Sequence, residues 1–470
     1  VQKNSEIRAQ IFAVLWAIAH LFQLYWDNPN FSKLNLIGFL QFLILLLASL
    51  VVLRPSSYLT LLGLSLSQVV SAFIRMPIIP NHLMITLIGN LTILAGAVIV
   101  FLKTEPPQEA RISTAKVLEL VTPSIRLEIV IFYFFTFFHK LNSDYLDIDS
   151  SCAAKFYEHT LPILPFLPSG DWAKYLVTYG TLLLEALLPL ILLCRKTRVF
   201  AVLVAVVFHF FLAFDVQKMF LNFSSTMFAF LFLFLPVSFS KLASELVLSK
   251  FSSRNCLRIR VAFVSFYFLA IVSVLFGTQS AAYIWFVSRQ LLWFLYSAPL
   301  VLILMLVCRL RRIEAQEQPS VGIRNFPAAF LNVFVIAVIL NGISPYLGLK
   351  TRSAWQMYSN LNIAADDSNH LLIKQSLDLG GYLADNVQIH SSENEELIKS
   401  YIRQDLRITR FELTRYLLAH PNESVELEDQ NGKYLVRAEM LPKESIISDL
   451  KRKFFWFGPI GPNNAMNCIW

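Results

Sequence analysis

Apolar residues run along this chain in long blocks rather than in the spaced stripe of a soluble helix. The blocks lie near 10–26, 35–53, 58–75, 82–102, 125–141, 173–194, 199–215, 219–238, 259–277, 288–308 and 326–347. Each is close to the roughly 17–25 residues that an α-helix needs to cross a hydrocarbon core of about 30 Å. Inside lipid a segment must satisfy its own backbone polar groups, so blocks of this length predict helices. The first block has no small-residue cleavage site after it, and reads as a helix rather than a signal peptide. Beyond about residue 350 the pattern changes. In "SVELEDQNGKYLVRAEM" apolar and polar residues alternate on both sides of Asn431-Gly432, which predicts a β-hairpin. Before it, Leu397, Ile398, Tyr401, Ile402, Leu406, Phe411, Leu413 and Leu417 are spaced as the buried side of one helix over 395–418. The expected fold class is an all-α polytopic membrane protein of about 11 transmembrane helices over 1–349, followed by a small α+β domain over 350–470.

Composition agrees with this and adds an orientation. Hydrophobic residues make up 56% of the 470 and charged residues 15%, against about 25% charged in soluble domains. Mean hydropathy is +0.56. The formal charge of +8 therefore points to basic loops at a membrane, not to nucleic acid. If "RKTR" at 195–198 is cytoplasmic, alternation places the N-terminus and the segments 103–126, 239–258 and 309–324 on the same side, and these are the basic segments. The opposite loops, 27–34, 76–81 and 278–287, hold one basic residue between them, Lys33. The pattern predicts the N-terminus inside and the C-terminal domain outside, in a periplasm, lumen or extracellular space. That domain holds 14 Lys+Arg and 16 Asp+Glu, so the basic excess lies in the membrane part. Cys194, Cys256 and Cys308 fall at expected cytoplasmic ends. Cys152 and Cys468 fall outside, where either a disulfide or two free thiols is compatible with the sequence. Asn422-Glu-Ser is a glycosylation sequon that has meaning only in a eukaryotic secretory pathway.

Several ionisable groups interrupt the blocks: His20, Arg75, Lys140, Glu185, His209, Asp215 and Arg289. Such groups are candidate functional residues, and each also has a plainer reading. Arg75 and Arg289 stand near outer ends and can snorkel. Glu185, in "TLLLEALLPL", can pair with an arginine and hold two helices together. His209, in "VVFHFFLAFD", can be a hydrogen-bonded packing residue, and Asp215 a solvated helix end. Lys140 closes an aromatic run, "YFFTFFHKLNSDYL", at the outer end of its block. The expected topology brings Lys140, His209 and Asp215 to similar depth on one side. A desolvated lysine can become a neutral amine and act as a base on a lipid-soluble acid such as a hydroquinone; Schiff-base chemistry is the alternative. No nucleotide-binding glycine loop and no CxxC or HExxH metal motif is present.

The order of these segments carries a resemblance. "HKLNSDYL", a long loop, "GTLLLEALLPLILLCRKTRVFAVLVAVVFHFFLAF" and then "MFAFLFLFLP" resemble the membrane domain shared by vitamin K-dependent gamma-glutamyl carboxylase and its bacterial relatives, the horizontally transferred transmembrane (HTTM) domain family. The resemblance is clearest over 125–240 and extends in outline over 1–350. In the carboxylase, the lysine before that leucine deprotonates vitamin K hydroquinone. Oxygenation then gives a strong base that removes a proton from a peptide glutamate, and carbon dioxide adds. The resemblance implies Lys140 as the base, His209 as the matching histidine and a site on the lumenal or periplasmic side. Arg75, Glu185, Asp215 and Arg289 are the candidates to bind the cofactor, vitamin K hydroquinone or another reduced quinone, with no metal. The lipid bilayer is the expected partner, with a peptide or protein substrate on the outer side. The tail of about 120 residues does not match the carboxylase's larger substrate-binding region, so the resemblance supports the membrane fold and a quinone-type pocket further than it supports glutamate carboxylation. The competing reading is a non-catalytic membrane scaffold that binds a quinone or lipid. A transporter ranks last, because Gly numbers only 15 and no internal repeat is visible.

Overall fold

The computed structural model describes residues 2–26, 35–103, 113–215, 220–275, 279–310, 329–364, 367–429, 432–441, 446–461, 466 and 468. Among these residues fourteen helices come first: α1 (Gln2–Trp26), α2 (Leu36–Leu53), α3 (Tyr58–Arg75), α4 (Asn81–Lys103), α5 (Thr114–His139), α6 (Ser143–Leu146), α7 (Cys152–Thr160), α8 (Asp171–Leu193), α9 (Arg198–Leu212), α10 (Leu221–Phe232), α11 (Val237–Lys250), α12 (Ser253–Leu275), α13 (Gln279–Leu310) and α14 (Asn332–Ile343). Among the described residues eight are long and apolar enough to cross a membrane: α1 to α5, α8, α12 and α13. A ninth span results if α10 and α11, bent by 113° at their junction, are counted together. The chain is thus a multi-pass helical membrane protein.

The eleven apolar blocks are not eleven full spans among the described residues. Blocks 199–215 and 326–347 give helices of 15 and 12 residues, α9 and α14, each too short to cross. Block 219–238 breaks at Pro236, which lacks an N–H and opens the bend into α11. Block 125–141 begins earlier than its apolar content suggests, at Thr114, with Pro123 inside the helix. Arg126, expected in a loop, is consequently helical and buried. Lys33, the loop residues 104–112 and the basic segment 311–328 lie outside the described residues.

Contacts divide the chain into two units. One comprises Val1–Ile74, His82–Ile131 and Leu187–Ala337; the other comprises Arg75–Asn81, Phe132–Ala186 and Val338–Trp470. The first unit shows how polar groups survive among membrane helices. His82, Thr86 and Asn90 repeat every four residues along one face of α4 and meet polar partners in turn. Asn222 Nδ2 lies 3.0 Å from His82 Nε2, Gln23 Nε2 donates to Thr86 Oγ1 at 2.8 Å, and Trp16 Nε1 donates to Asn90 Oδ1 at 3.0 Å. Gln23 also donates to Thr226 and accepts from Gln68, and His20 lies 3.1 Å from Asn90 Nδ2. Three arginines go to helix ends, while buried Glu128 accepts from Thr92 Oγ1 at 2.8 Å. Arg8 and Arg126 both donate to the Leu233 carbonyl beyond α10, and Arg198 to the Leu192 and Leu193 carbonyls of α8. These last-turn carbonyls have no acceptor role within their own helices, and they carry the negative end of the helix dipole.

In the second unit the last turns of α5 pack against the chain after residue 338. Trp355 is fully buried, its Nε1 donating to the Val338 carbonyl at 2.8 Å and its ring meeting Phe132 edge-on. Further along, β1 (Asn386–Ser392), α15 (Glu395–Ser400), β2 (Arg407–Thr409), α16 (Arg410–Ala419), β3 (Ser424–Asp429), β4 (Gly432–Arg437) and α17 (Ile446–Phe454) follow. The four strands form one antiparallel sheet in the order β2-β1-β3-β4. The hairpin read from the alternation is β3–β4, paired from Ser424–Arg437 to Asp429–Gly432, with Asn431 itself outside the described residues. The single helix expected over 395–418 is instead α15, a short 3₁₀ turn, strand β2 and α16. Asp405 takes a left-handed conformation (φ 53°) that ends the first helical run, and the Thr409 side chain caps the second by accepting from Glu412 N–H. Five of the eight apolar positions are nevertheless buried: Leu397, Tyr401, Leu406, Leu413 and Leu417 pack with Val387, Ile389, Val425 and Leu427, while Ile398, Ile402 and Phe411 are partly exposed. Cys152 and Cys468 form a disulfide, while Cys194, Cys256 and Cys308 are free.

Gly342 sets the approach of α14 to α5. A Cβ there would lie 2.3 Å from the Phe135 ring, whereas a Cβ at Gly180 meets nothing within 4 Å. Gly342→Ala is expected to lower thermal stability in detergent, with a cost of about 1–3 kcal/mol for overpacking. Gly180→Ala, by thermal scanning under the same conditions, should be neutral or slightly stabilising.

Candidate functional site

The site forms where α5 stops. Its last regular residue, His139, is held from three sides: Nδ1 lies 2.7 Å from the Tyr346 hydroxyl, Nε2 lies 3.0 Å from the Ala354 carbonyl, and the ring stacks on Phe135. The chain then turns, with Lys140 N–H donating to the Phe137 carbonyl. Asn142 closes the turn. Its Oδ1 accepts from Tyr145 N–H and starts α6, and its Nδ2 donates to the His139 and Ser359 carbonyls at 2.8 and 2.6 Å. This lattice fixes the backbone on both sides of Lys140, so the direction of the lysine side chain is set by its neighbours.

Lys140 does not snorkel. It is 6% exposed, and its Nζ donates to Glu185 Oε2 at 2.7 Å and to the Thr136 carbonyl at 3.3 Å. Glu185, in the middle of α8, is 8% exposed. The plain reading of Glu185 as one half of a pair tying two helices is therefore realised, with a lysine and not an arginine as its partner. The Tyr145 ring lies under the ammonium, 5.8 Å from ring centre to Nζ. Tyr145 is fully buried, and its hydroxyl has no hydrogen-bond partner among the described residues. Burial, and then the nearby Glu185 carboxylate, hold that phenol well above its ordinary pKa, so it is a neutral O–H donor. One ammonium, one carboxylate and one unfulfilled hydroxyl thus converge in a dry place.

The remaining expected residues divide between the two units. Arg75 belongs with Lys140 and Glu185, half-buried at the end of α3. His209, Asp215 and Arg289 belong to the other unit. His209 is buried, with its ring edge-on to Phe223 at 5.0 Å; Asp215 is buried just past α9; and the Arg289 guanidinium stacks on Trp285 at 5.6 Å. Tyr145 was not among the residues singled out in the sequence, although it lies within the same "HKLNSDYL". Its signal was local: Asn142 as a helix cap fixes the residue three places on. His370 and Tyr346 also surround His139, with His370 Nε2 2.9 Å from the Phe138 carbonyl. Burial lowers the His370 pKa below the usual histidine range and brings Lys350 down to about 8.

The buried pair is testable as a unit. Lys140→Met or Glu185→Leu alone strands one charge in an apolar place and should cost about 3–5 kcal/mol, while the double variant should recover most of that loss. Thermal melts of the four proteins in one detergent measure the coupling.

No curated protein and no solved structure matches the chain. The stretch that holds Lys140, Glu185, His209 and Asp215, but not Arg75 or Arg289, does match a family: residues 80–242 of this chain match the family model of the HTTM domain.

Proposed function

We propose that this protein uses the Lys140–Glu185 pair, with Tyr145, to accept a proton from a lipid-soluble acid bound at the end of α5, and that the acid is a reduced quinone. The observation that carries the reading is the Tyr145 hydroxyl, buried and unfulfilled beside a 2.7 Å ion pair. A buried hydroxyl without a partner in the chain can take one from a bound molecule; the Tyr296 hydroxyl is likewise unpartnered among the described residues, and Tyr145 is set apart by the ion pair beside it. The donor set fits a hydroquinone. Glu185 is the acceptor for a hydroxyl proton. Once Glu185 is neutral, the Lys140 ammonium loses its counter-charge and faces the new oxyanion, toward which Tyr145 donates. Reduced quinone, when bound, supplies the acidic hydroxyl and two reducing equivalents. The resemblance to the carboxylase-like proteins supports a hydroquinone as the acid, with Lys140 at the position of their base; in this reading its partner Glu185 takes the proton. The Cys152–Cys468 disulfide supports placing this end of the protein in an oxidising compartment outside the cytoplasm.

The test is epoxide formation: dioxygen leaves one oxygen in the quinone epoxide and the other in water. Purified protein with vitamin K hydroquinone or reduced menaquinone under oxygen should give epoxide. Lys140→Ala and Glu185→Gln should each lower the rate by about 10²–10⁴-fold, and Tyr145→Phe by less. No epoxide with either quinone would overturn the reading. A second reading, lipid or quinone binding without turnover, is favoured by a separate observation. A cavity of about 520 Å³ opens in the first unit, lined by apolar side chains that include Val14, Val206, Phe232 and Leu304, with Arg260 among them. That size and lining suit one small amphiphile. Under this second reading, quinone co-purifies equally with wild type and Lys140→Ala.

A further inference from the structure

α17 (Ile446–Phe454) is amphipathic in the wrong sense for a soluble surface. Ile447, Leu450 and Phe454, spaced i, i+3 and i+7, form one apolar stripe, and they are 66%, 55% and 50% exposed. The opposite face carries Ser448 and Arg452, which are partly buried against the protein, with Arg452 donating to Asp449 at 2.8 Å. A helix that turns its polar side to its own fold and its apolar side outward leaves that stripe to a non-aqueous partner.

The position of the helix identifies the partner. Lys453 Nζ reaches the Met76 carbonyl at 3.5 Å. Met76 lies in the turn that joins α3 to α4, two helices of membrane length, so this turn marks the depth at which the chain leaves hydrocarbon. Ile78, in the same turn, is 55% exposed. On a helical projection Lys451 and Lys453 stand on the two flanks of the Ile447–Leu450–Phe454 stripe. Helices that lie in a bilayer interface have this form: an apolar stripe sunk into the acyl boundary and lysines rising on both sides to anionic headgroups. Directly after the helix, Phe455 and Phe457 anchor it to Tyr382 and Phe411.

We infer that α17 is an in-plane interfacial helix that seats the C-terminal part of the chain on an anionic lipid surface beside the α3–α4 turn. This inference stands apart from the proton-transfer reading, because nothing in it depends on Lys140, Glu185 or Tyr145.

Photo-crosslinking of the full protein in nanodiscs of phosphatidylcholine and phosphatidylglycerol tests it. The probe p-benzoylphenylalanine is placed at Leu450, and for comparison at Arg403, which is exposed in the 3₁₀ turn after α15. Illumination should give phospholipid-mass adducts at 450 and at least about tenfold fewer at 403. The combined Lys451→Glu and Lys453→Glu variant should lower the share of phosphatidylglycerol among the adducts, with phosphatidylcholine adducts retained. Lipid adducts absent at 450, or a polypeptide adduct there in place of lipid, would overturn the inference.

Discussion

Two opposite charges 2.7 Å apart, both withdrawn from water, join the end of α5 to the middle of α8. Taking a lysine and a carboxylate out of water costs several kcal/mol per ion, and their attraction returns that only when the geometry is good. Apolar residues of the same size would hold two membrane helices together as well or better. The surroundings are built to keep this pair in one place: His139 is clamped before Lys140, Asn142 caps the turn after it, and Gly342 lets α14 reach Phe135 one turn earlier. So much ordered structure around a pair of modest net stability makes sense if the pair has chemistry to perform. The unfulfilled Tyr145 hydroxyl beside it points the same way.

The first unit obeys the same constraint with a different outcome. There the polar face of α4 meets partners that serve the fold: His82, Thr86 and Asn90 are matched residue by residue from α1 and α10, and Arg8, Arg126 and Arg198 donate to carbonyls at helix ends. Its polar groups are numerous and buried, and they explain themselves as packing. Around Lys140 the account is incomplete without something from outside the chain. A buried ion pair with an unpartnered hydroxyl beside it separates this place from the polar face of α4.

Much of this was legible in the sequence, for reasons that can be named. Unbroken apolar length identified the long spans, since in lipid nothing else satisfies the backbone. It overstated 199–215, 219–238 and 326–347, because apolar content does not report where a proline or a turn ends a helix. It understated α5, whose first turns carry Lys116 and Glu119 and so read as a loop. Alternation found the β3–β4 hairpin, but the helical spacing over 395–418 concealed β2, a three-residue strand that exists only because β1 lies beside it. Lys140 and Glu185 were each visible as misplaced charges. Their meeting was not, because it depends on the angle between two helices 45 residues apart. Tyr145 was invisible as a site residue for another reason: a tyrosine in an aromatic stretch is unremarkable until its hydroxyl is found without a partner.

The central claim is that Glu185 takes up a proton when a reduced quinone binds. Infrared difference spectroscopy on the protein in nanodiscs, without oxygen, reads this directly. Addition of hydroquinone should produce the carbonyl stretch of a protonated carboxyl group in wild type, absent from Glu185→Gln and weakened in Tyr145→Phe. A wild-type spectrum with no new protonated carboxyl under saturating hydroquinone, or one that Glu185→Gln leaves unchanged, would contradict the account.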